Sequence, residues 1–497
     1  MAMNRLENLN FTNSFTHLPE AFYSRLQPTP LQDHHLVSAN AQAASLIDLD
    51  PAQLQRPAFL DYFGGARPLP GSDPLAALYA GHQFGGWVPQ LGDGRALLLG
   101  EITNRRGERW ELQLKGAGET PYSRSGDGRA VLRSTLREYL CCEAMHGLGI
   151  PTTRALGVIG SREEVYREQI ESGAILIRMA PSHVRFGSFE VFFYRGDYLR
   201  LKQLADYLIA HHFSQLQETA HAYLAMLQEV IARTARLIAQ WQLVGFAHGV
   251  MNTDNMSILG LTLDYGPFGF LDSYDPQFIC NHSDRWGRYA FERQPSIALW
   301  NLSCLAQAML PLLDEGDGEA AAERAREALA SFEPIYQQTY LAGMRAKLGL
   351  KTAAARDETL ITDLLSRLQR GGVDYTLFFR SLCDFDPAEQ NSGQPVRDLF
   401  TDRALFDRWA EDYSHRLRTE QNHAQDRRGR MRATNPKYVL RNYLAQQAIA
   451  QAEQGDFTET DRLLQLLQAP FDEQPEMAQY AAEPPDWGQH IAVSCSS

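Results

Sequence analysis

The rhythm of apolar and polar positions changes along the chain. Up to about residue 80, Pro19, Pro28, Pro30, Pro51, Pro57, Pro68, Pro70 and Pro74 interrupt any long helix, which predicts an extended wrap with short helices. From Ala96 to Gly116 two apolar runs, ALLLGEI and RWELQLKG, flank the turn-forming NRRGE, the pattern of a β-hairpin. Leu132, Leu136, Tyr139 and Leu140 then recur at helical spacing. With Asp127 as N-cap and Gly149 and Pro151 as stop signals, they predict an amphipathic helix over 129–147. Strands are expected at Ala155–Ile159 and Ala174–Met179, and a long helix from about Glu218 to Trp241. Short β-type pieces in SILGLTLDYGPFGFLD interrupt the helices, which return near Pro295. The remainder reads as helical, broken by a polar loop from Asp386 to Pro395 and by a basic run, Arg427 to Arg432, expected to be a solvated linker. GDGR occurs twice, at Gly92–Arg95 and Gly126–Arg129, too short a duplication to mark a repeat.

Composition narrows the class. A chain of 497 residues with 44% hydrophobic and 22% charged positions has the balance of an ordinary globular protein of two or more folded parts. The net charge of −13 argues against general affinity for nucleic-acid backbone or anionic lipid, so phosphate chemistry requires a local basic pocket. Cys141, Cys142, Cys280, Cys304, Cys383 and Cys495 show neither CxxC nor Cys/His ligand spacing, which speaks against a zinc site or a disulfide scaffold. His34, His35, His211 and His212 likewise lack ligand-spaced partners. The polar N-terminus has no signal-peptide core and no apolar run approaches membrane-spanning length; a reducing cytoplasm is the expected location.

The chemistry-bearing residues begin with the turn Gly92-Asp93-Gly94-Arg95, which can let backbone N–H groups approach phosphate oxygens or can be a turn and nothing more. Lys115 emerges from the second hairpin strand, and Glu138 follows 23 positions later on the helix. A helix glutamate pairing a strand lysine makes a phosphate clamp; the bland alternative is two surface charges. Arg178 and Arg185 can both face one polyphosphate or can pair with acids such as Glu190. The segment His248-Gly249-Val250-Met251-Asn252-Thr253-Asp254-Asn255, followed by Asp264-Tyr265-Gly266, resembles the catalytic loop of kinase-like phosphotransferases. In that alignment Asn255 and Asp264 fall on the metal-binding positions, both hard oxygen ligands for magnesium. Val250, however, stands where such enzymes carry their proton-accepting aspartate, and a valine cannot be a base. Either the chain is a catalytically dead nucleotide binder, or it uses another base, for which Asp254 is the available carboxylate.

Taken together, GDGR, QLKGAGETPYSRSGDGRAVLRSTLREYL, IRMAPSHVRFGSFE, HGVMNTDNMSILGLTLDYGPFGFLD, FICNHSDRWGRYAF and the terminal CSS resemble the selenoprotein O family, whose bacterial members are called YdiU, over essentially the whole chain. The resemblance implies an α+β, protein-kinase-like bilobal fold: a wrap over 1–80, a strand-rich N-lobe over 81–185, a helical C-lobe over 186–330, and a C-terminal helical region with a redox tail over 331–497. It implies ATP bound in an inverted orientation and transfer of AMP to Ser, Thr or Tyr hydroxyls of proteins, the chain itself included, with release of pyrophosphate. UMP from UTP is a further expectation when Mn2+ replaces Mg2+. Carried over by position, Gly92, Gly94, Arg95, Lys115, Asp127, Gly128, Arg178 and Arg185 hold the nucleotide, Glu138 supports Lys115, Asn255 and Asp264 hold the metal, and Asp254 accepts the proton. Cys495 stands at the family's selenocysteine position, and a Cys280–Cys495 disulfide is expected to tether the tail. Tyr122, Ser123 and Ser125 are candidates for self-modification. A monomer without nucleic-acid or membrane partners is expected. The competing readings are a kinase-like phosphotransferase of the aminoglycoside-kinase type and a non-catalytic ATP-binding scaffold.

Overall fold

The predicted hairpin forms as Ala96–Thr103 and Arg109–Lys115 and lies at the middle of an antiparallel sheet. The computed structural model describes residues 3–314, 316–420 and 424–494. Across its main sheet the strands run Tyr23–Arg25, Leu75–Ala77, Ala96–Thr103, Arg109–Lys115, Ile170–Ala180, Arg154–Tyr166 and His35–Ala39, with Ala130–Val131 also pairing to Ile170–Ala180. The architecture is α+β, this sheet combined with many helices. The proline-punctuated N-terminal segment does more than wrap, since it supplies strands at both edges of the sheet. Strands of three to five residues fit between the prolines, and edge positions tolerate the missing N–H donors.

Strand alternation divides the sheet into two buried faces. Leu112, Leu114, Ile175, Ile177 and Met179 pack against Leu6, Ile47, Phe59 and Phe63 of the N-terminal segment. Leu98, Val158 and Leu176 pack against Leu136, Tyr139 and Leu140 of the helix Leu132–Gly147. Burial on both faces explains the nearly unbroken apolar runs. In register, Lys115 lies opposite Leu176 and Gln113 opposite Arg178, so period-two alternation puts Gln113, Lys115 and Arg178 on the helix-facing side.

The helix starts at Leu132 rather than 129, because Ala130 and Val131 join the sheet. Asp127 does not cap it: the N-cap is Val131, and the Asp127 carboxylate is bound by Arg167 at 2.7 and 2.8 Å. Nor is the helix amphipathic in place. Its outer side is covered by C-terminal residues, with the Leu467 carbonyl closing on Gly147 and Asn442 Oδ1 accepting from Arg137 at 3.3 Å.

The long helix is Ala222–Val244, ended by Gly245 in the left-handed region, and the next long one is Gln294–Leu313. With its preceding turn the latter, Phe291–Leu313, is long and apolar enough to cross a membrane, contrary to expectation. Its Ala298, Leu302, Leu305 and Met309 are core residues, which accounts for the apolar run. Between the two helices, the β-type pieces reduce to a short pairing of Phe246–Ala247 with Gly269–Phe270 and to isolated bridges of Ser257 with Arg185 and Thr262 with Thr152. The basic run is a helix, Ala424–Thr434, rather than a linker. Arg427 donates to the Phe385 carbonyl (2.5 Å), while Arg428 and Arg432 pair with Asp384 at 3.2 and 2.9 Å.

Candidate active site

The sheet and the loop between the short strands Phe246–Ala247 and Gly269–Phe270 meet at a cleft of about 510 Å³. Gly92, Gly94, Arg95, Lys115, Asp127, Gly128, Glu138, Arg178, Arg185, Asp254, Asn255 and Asp264 all line it, so residues separated by up to 172 positions in sequence converge on one space.

At its centre is a buried charge cluster. Lys115 Nζ bonds the Glu138 carboxylate, whose other oxygen accepts from Arg178 at 2.9 Å. Arg178 also donates to Asp264 Oδ1 (2.5 Å) and to Gln113, while Arg185 donates to Asp264 Oδ2. Lys115 stands 3.8 Å from Asp264. The three cations thus share two carboxylates. Burial disfavours each charge, but Arg185, Arg178 and Lys115 together hold Asp264 well below the usual carboxylate range. Burial likewise works against both guanidiniums, but Asp264 together with Glu138 at Arg178, and with Tyr79 and Asp93 at Arg185, outweighs it and keeps them above their ordinary values. For Lys115 burial wins over Glu138 and lowers the pKa. The cluster is therefore set up for a further anion at the lysine. Arg185 also lies 4.7 Å from the centre of the Tyr79 ring, a desolvated cation–π contact.

His248, the first residue of the loop motif, is structural. Its Nε2 donates to the Leu263 carbonyl (3.0 Å), its Nδ1 accepts from the Val250 N–H (3.3 Å), and its ring stacks on Trp241 at 5.3 Å. Burial lowers its pKa and keeps it neutral. It thereby pins the turn before Asp264 to the loop carrying Asp254 and Asn255. The Asn255 amide nitrogen donates to the Val250 carbonyl (3.1 Å), leaving its oxygen as the remaining ligand atom. An ionised Asp264 and this amide oxygen fit a hard divalent cation.

Asp254 is 6% exposed. Its Oδ2 accepts from Gln83 Nε2 at 3.0 Å, its carbonyl accepts from Arg185 at 2.8 Å, and its Oδ1 has no hydrogen-bond partner among the described residues. Burial pushes its carboxyl up to about 6, against the opposing hydrogen bond from Gln83. Val250 lines the cleft beside it and offers no proton acceptor.

The two GDGR turns serve differently. Gly92 has φ +119°, and a Cβ there would fall 2.5 Å from the Tyr122 ring, so this glycine is required by the turn's own packing. Arg95 stands exposed at the mouth. In the second turn Arg129 is buried and structural, pairing with Glu163 (2.8 Å) and donating to the carbonyls of Thr29 and Pro30. Asp127 is at the mouth, ion-paired with Arg167 and partly exposed; that hydrogen bond lowers its pKa. The alternative that Arg185 pairs with Glu190 does not hold, because Glu190 takes His82 at 2.6 Å.

Sequence reasoning missed Gln113, Tyr79, Gln83 and Arg167. Gln113 was within reach, two residues before Lys115 on the same strand face; the others depend on approaches between distant segments. Cys495 lies outside the described residues. Val493 accepts from the His282 N–H at 2.9 Å, which seats the tail beside the loop containing Cys280.

Three clustered cations, the oxygen-bearing side chains of Asn255 and Asp264 and the buried Asp254 carboxylate share one cleft, a set of groups suited to a phosphate-transfer enzyme. Residues 5–468 match the family described as Protein adenylyltransferase SelO. The chain is 59% identical over 496 residues to a protein of Thioalkalivibrio sulfidiphilus, and 57% over 495 residues to one of Myxococcus xanthus. Both are named Protein nucleotidyltransferase YdiU, with full coverage of each chain. A Thiobacillus denitrificans protein of the same name is 56% identical over 498 residues, again with full coverage. The chain belongs to this SelO/YdiU family of nucleotidyltransferases.

Proposed function

We propose that the chain transfers AMP from ATP to Ser, Thr or Tyr hydroxyls of proteins, on a kinase-like arrangement in which the triphosphate lies inverted. The observation that carries this reading is the exchange of bases: Val250 occupies the usual aspartate position, while the buried Asp254, whose Oδ1 has no hydrogen-bond partner among the described residues, lines the cleft. The acceptor oxygen attacks the α-phosphorus, and the bond from that phosphorus to the oxygen bridging toward the β-phosphorus breaks. The hydroxyl proton passes to Asp254, and pyrophosphate leaves. Lys115, Arg178 and Arg185 meet the negative charge that develops on the leaving group, with no reorganisation of the cluster that already orients them. Asn255 and Asp264 would hold Mg2+ or Mn2+, which neutralises phosphate charge when bound. Gly92, Gly94, Arg95, Asp127 and Gly128 form the remainder of the nucleotide cradle. The same site serves UTP in this reading, because the clamp addresses phosphates rather than the base.

Incubation of the protein and a cell lysate with ATP labelled at the α or the γ phosphate tests it. Protein-bound label from the α position alone is expected. Label from the γ position would make the chain a kinase, and label from neither would make it a scaffold.

A further inference from the structure

The hairpin formed by Gly81–Gln83 and Gly86–Val88 has no part in the roles assigned above, yet it is fastened to the base-carrying loop at three successive residues. The His82 N–H donates to Thr253 Oγ1 (2.7 Å), Gln83 Nε2 to Asp254 Oδ2 (3.0 Å), and the Phe84 N–H to Asn252 Oδ1 (3.0 Å). The Tyr289 hydroxyl braces the last contact, donating to Asn252 Oδ1 at 2.6 Å and accepting from the Phe84 N–H at 3.1 Å.

The hairpin is also anchored from behind. His82 Nδ1 bonds Glu190 Oε1 at 2.6 Å, and Glu190 is fully buried on the helix Phe186–Tyr194. The His82 ring packs against Trp87 and Trp300, with centroids 5.0 and 5.4 Å away. On the same helix Gly187 lets the Ala80 carbonyl approach so closely that any Cβ would overlap it, and the Ala80 N–H donates to the Gly187 carbonyl at 3.1 Å. Two anchors and three loop contacts leave the hairpin little freedom relative to Asp254.

We propose that this hairpin is the acceptor-side jaw of the cleft: Gln83 positions the Asp254 carboxylate, and the exposed ring of Phe84 receives the polypeptide that bears the hydroxyl. The proposal rests on the reading of Asp254 as proton acceptor. The Gln83 amide donates to Oδ2, while Oδ1 is packed against Gly81 of the same hairpin without a hydrogen-bond partner among the described residues, so the hairpin fixes the orientation of the whole carboxylate. Phe84 sits at the hairpin tip with φ +50°, a left-handed conformation that costs a bulky residue energy and suits function better than packing. One side of its ring contacts Tyr289 (5.2 Å), and the residue is 43% exposed while lining the same cleft as Asp254. An exposed aromatic ring in the same cleft, one residue from Gln83, matches an apolar or aromatic side chain flanking the acceptor residue of a substrate protein.

Full-length Gln83→Ala and Phe84→Ala variants, assayed with α-labelled ATP and dephosphorylated casein as the acceptor, separate the two roles. Gln83→Ala should lower kcat about 10- to 100-fold, the worth of a hydrogen bond to a charged group, with the KM for ATP unchanged. Phe84→Ala should raise the KM for casein about 5- to 10-fold, the worth of an aromatic contact, with kcat and the KM for ATP unchanged. Thermal midpoints matching the parent protein would show that neither variant is misfolded. An unchanged kcat in Gln83→Ala, an unchanged KM for casein in Phe84→Ala, or losses that track a higher KM for ATP or a lower midpoint would overturn the jaw. Failure of the parent protein to transfer α-label at all would instead remove the underlying reading of Asp254.

Discussion

Asp264 balances the site. Its two oxygens neutralise Arg178 and Arg185, and removing them leaves two buried guanidiniums facing Lys115 without a counter-charge. Breaking such a pair costs about 3–5 kcal/mol. Asp264→Ala is therefore expected to lower the urea midpoint as well as to cut α-phosphate transfer by at least about 100-fold. Unchanged transfer in this variant would remove Asp264 from the metal and phosphate site. As the proposed proton acceptor, Asp254 should set the acid limb of the pH profile. With its carboxyl raised to about 6, it is protonated below that pH and cannot accept the hydroxyl proton. The logarithm of kcat/KM, which reports the free enzyme, should fall with unit slope below about pH 6 and be flat above it. In Asp254→Asn that limb should vanish along with most of the rate. A parent profile that stays flat down to pH 5 would mean that another group takes the proton.

At the scale of elements, the helix Phe332–Lys347 carries a buried ammonium unrelated to the cleft. Lys347 Nζ lies 4.2 Å from the Phe379 ring centre and 5.2 Å from that of Tyr375, and burial lowers its pKa to about 7. Desolvation outweighs the cation–π gain, so the folded state favours the neutral amine. Below pH 7 both folded and unfolded lysines are protonated, and the cost is fully present. Between about pH 7 and 10.5 the unfolded chain binds the extra proton, so stability recovers as pH rises. Lys347→Met should thus raise unfolding free energy at pH 7 by about 2–4 kcal/mol, with the gain shrinking toward pH 10. A variant no more stable at pH 7 would show that the ammonium keeps its solvation.

The elements legible in sequence were those specified by their own neighbours. The hairpin around NRRGE, the strands containing Ala155–Ile159 and Ala174–Met179, and the helix ending at Gly245 each combine an apolar run with local turn chemistry. Elements set by distant contacts were not legible. Tyr23–Arg25 is a strand because Leu75–Ala77 lies beside it, and the helix Leu132–Gly147 loses its solvent face to residues more than 300 positions later. The site divides the same way. Lys115, Glu138, Arg178, Asp254 and Asp264 stand in segments that resemble the selenoprotein O family and were candidates on that ground, whereas Gln83 reaches Asp254 across 171 positions and belongs to no such segment.

For the whole molecule, the arrangement places a dense positive clamp inside a chain of net charge −13. In the proposed function, attraction for a polyphosphate comes from this local cluster against the acidic background of the chain. Lys115 and Arg178 come from the sheet and Asp254 from the loop pinned by His248, while Arg185 reaches both Asp264 and the Asp254 carbonyl. In the proposed function, a triphosphate whose outer groups lie on Lys115, Arg178 and Arg185 presents its innermost phosphorus toward Asp254, and this placement separates nucleotidyl transfer from phosphorylation. A crystal structure with a non-hydrolysable ATP analogue and Mg2+ tests it most directly. The account predicts the α-phosphorus nearest Asp254, with the β and γ groups on Lys115, Arg178 and Arg185; a γ-phosphorus beside Asp254 would contradict it.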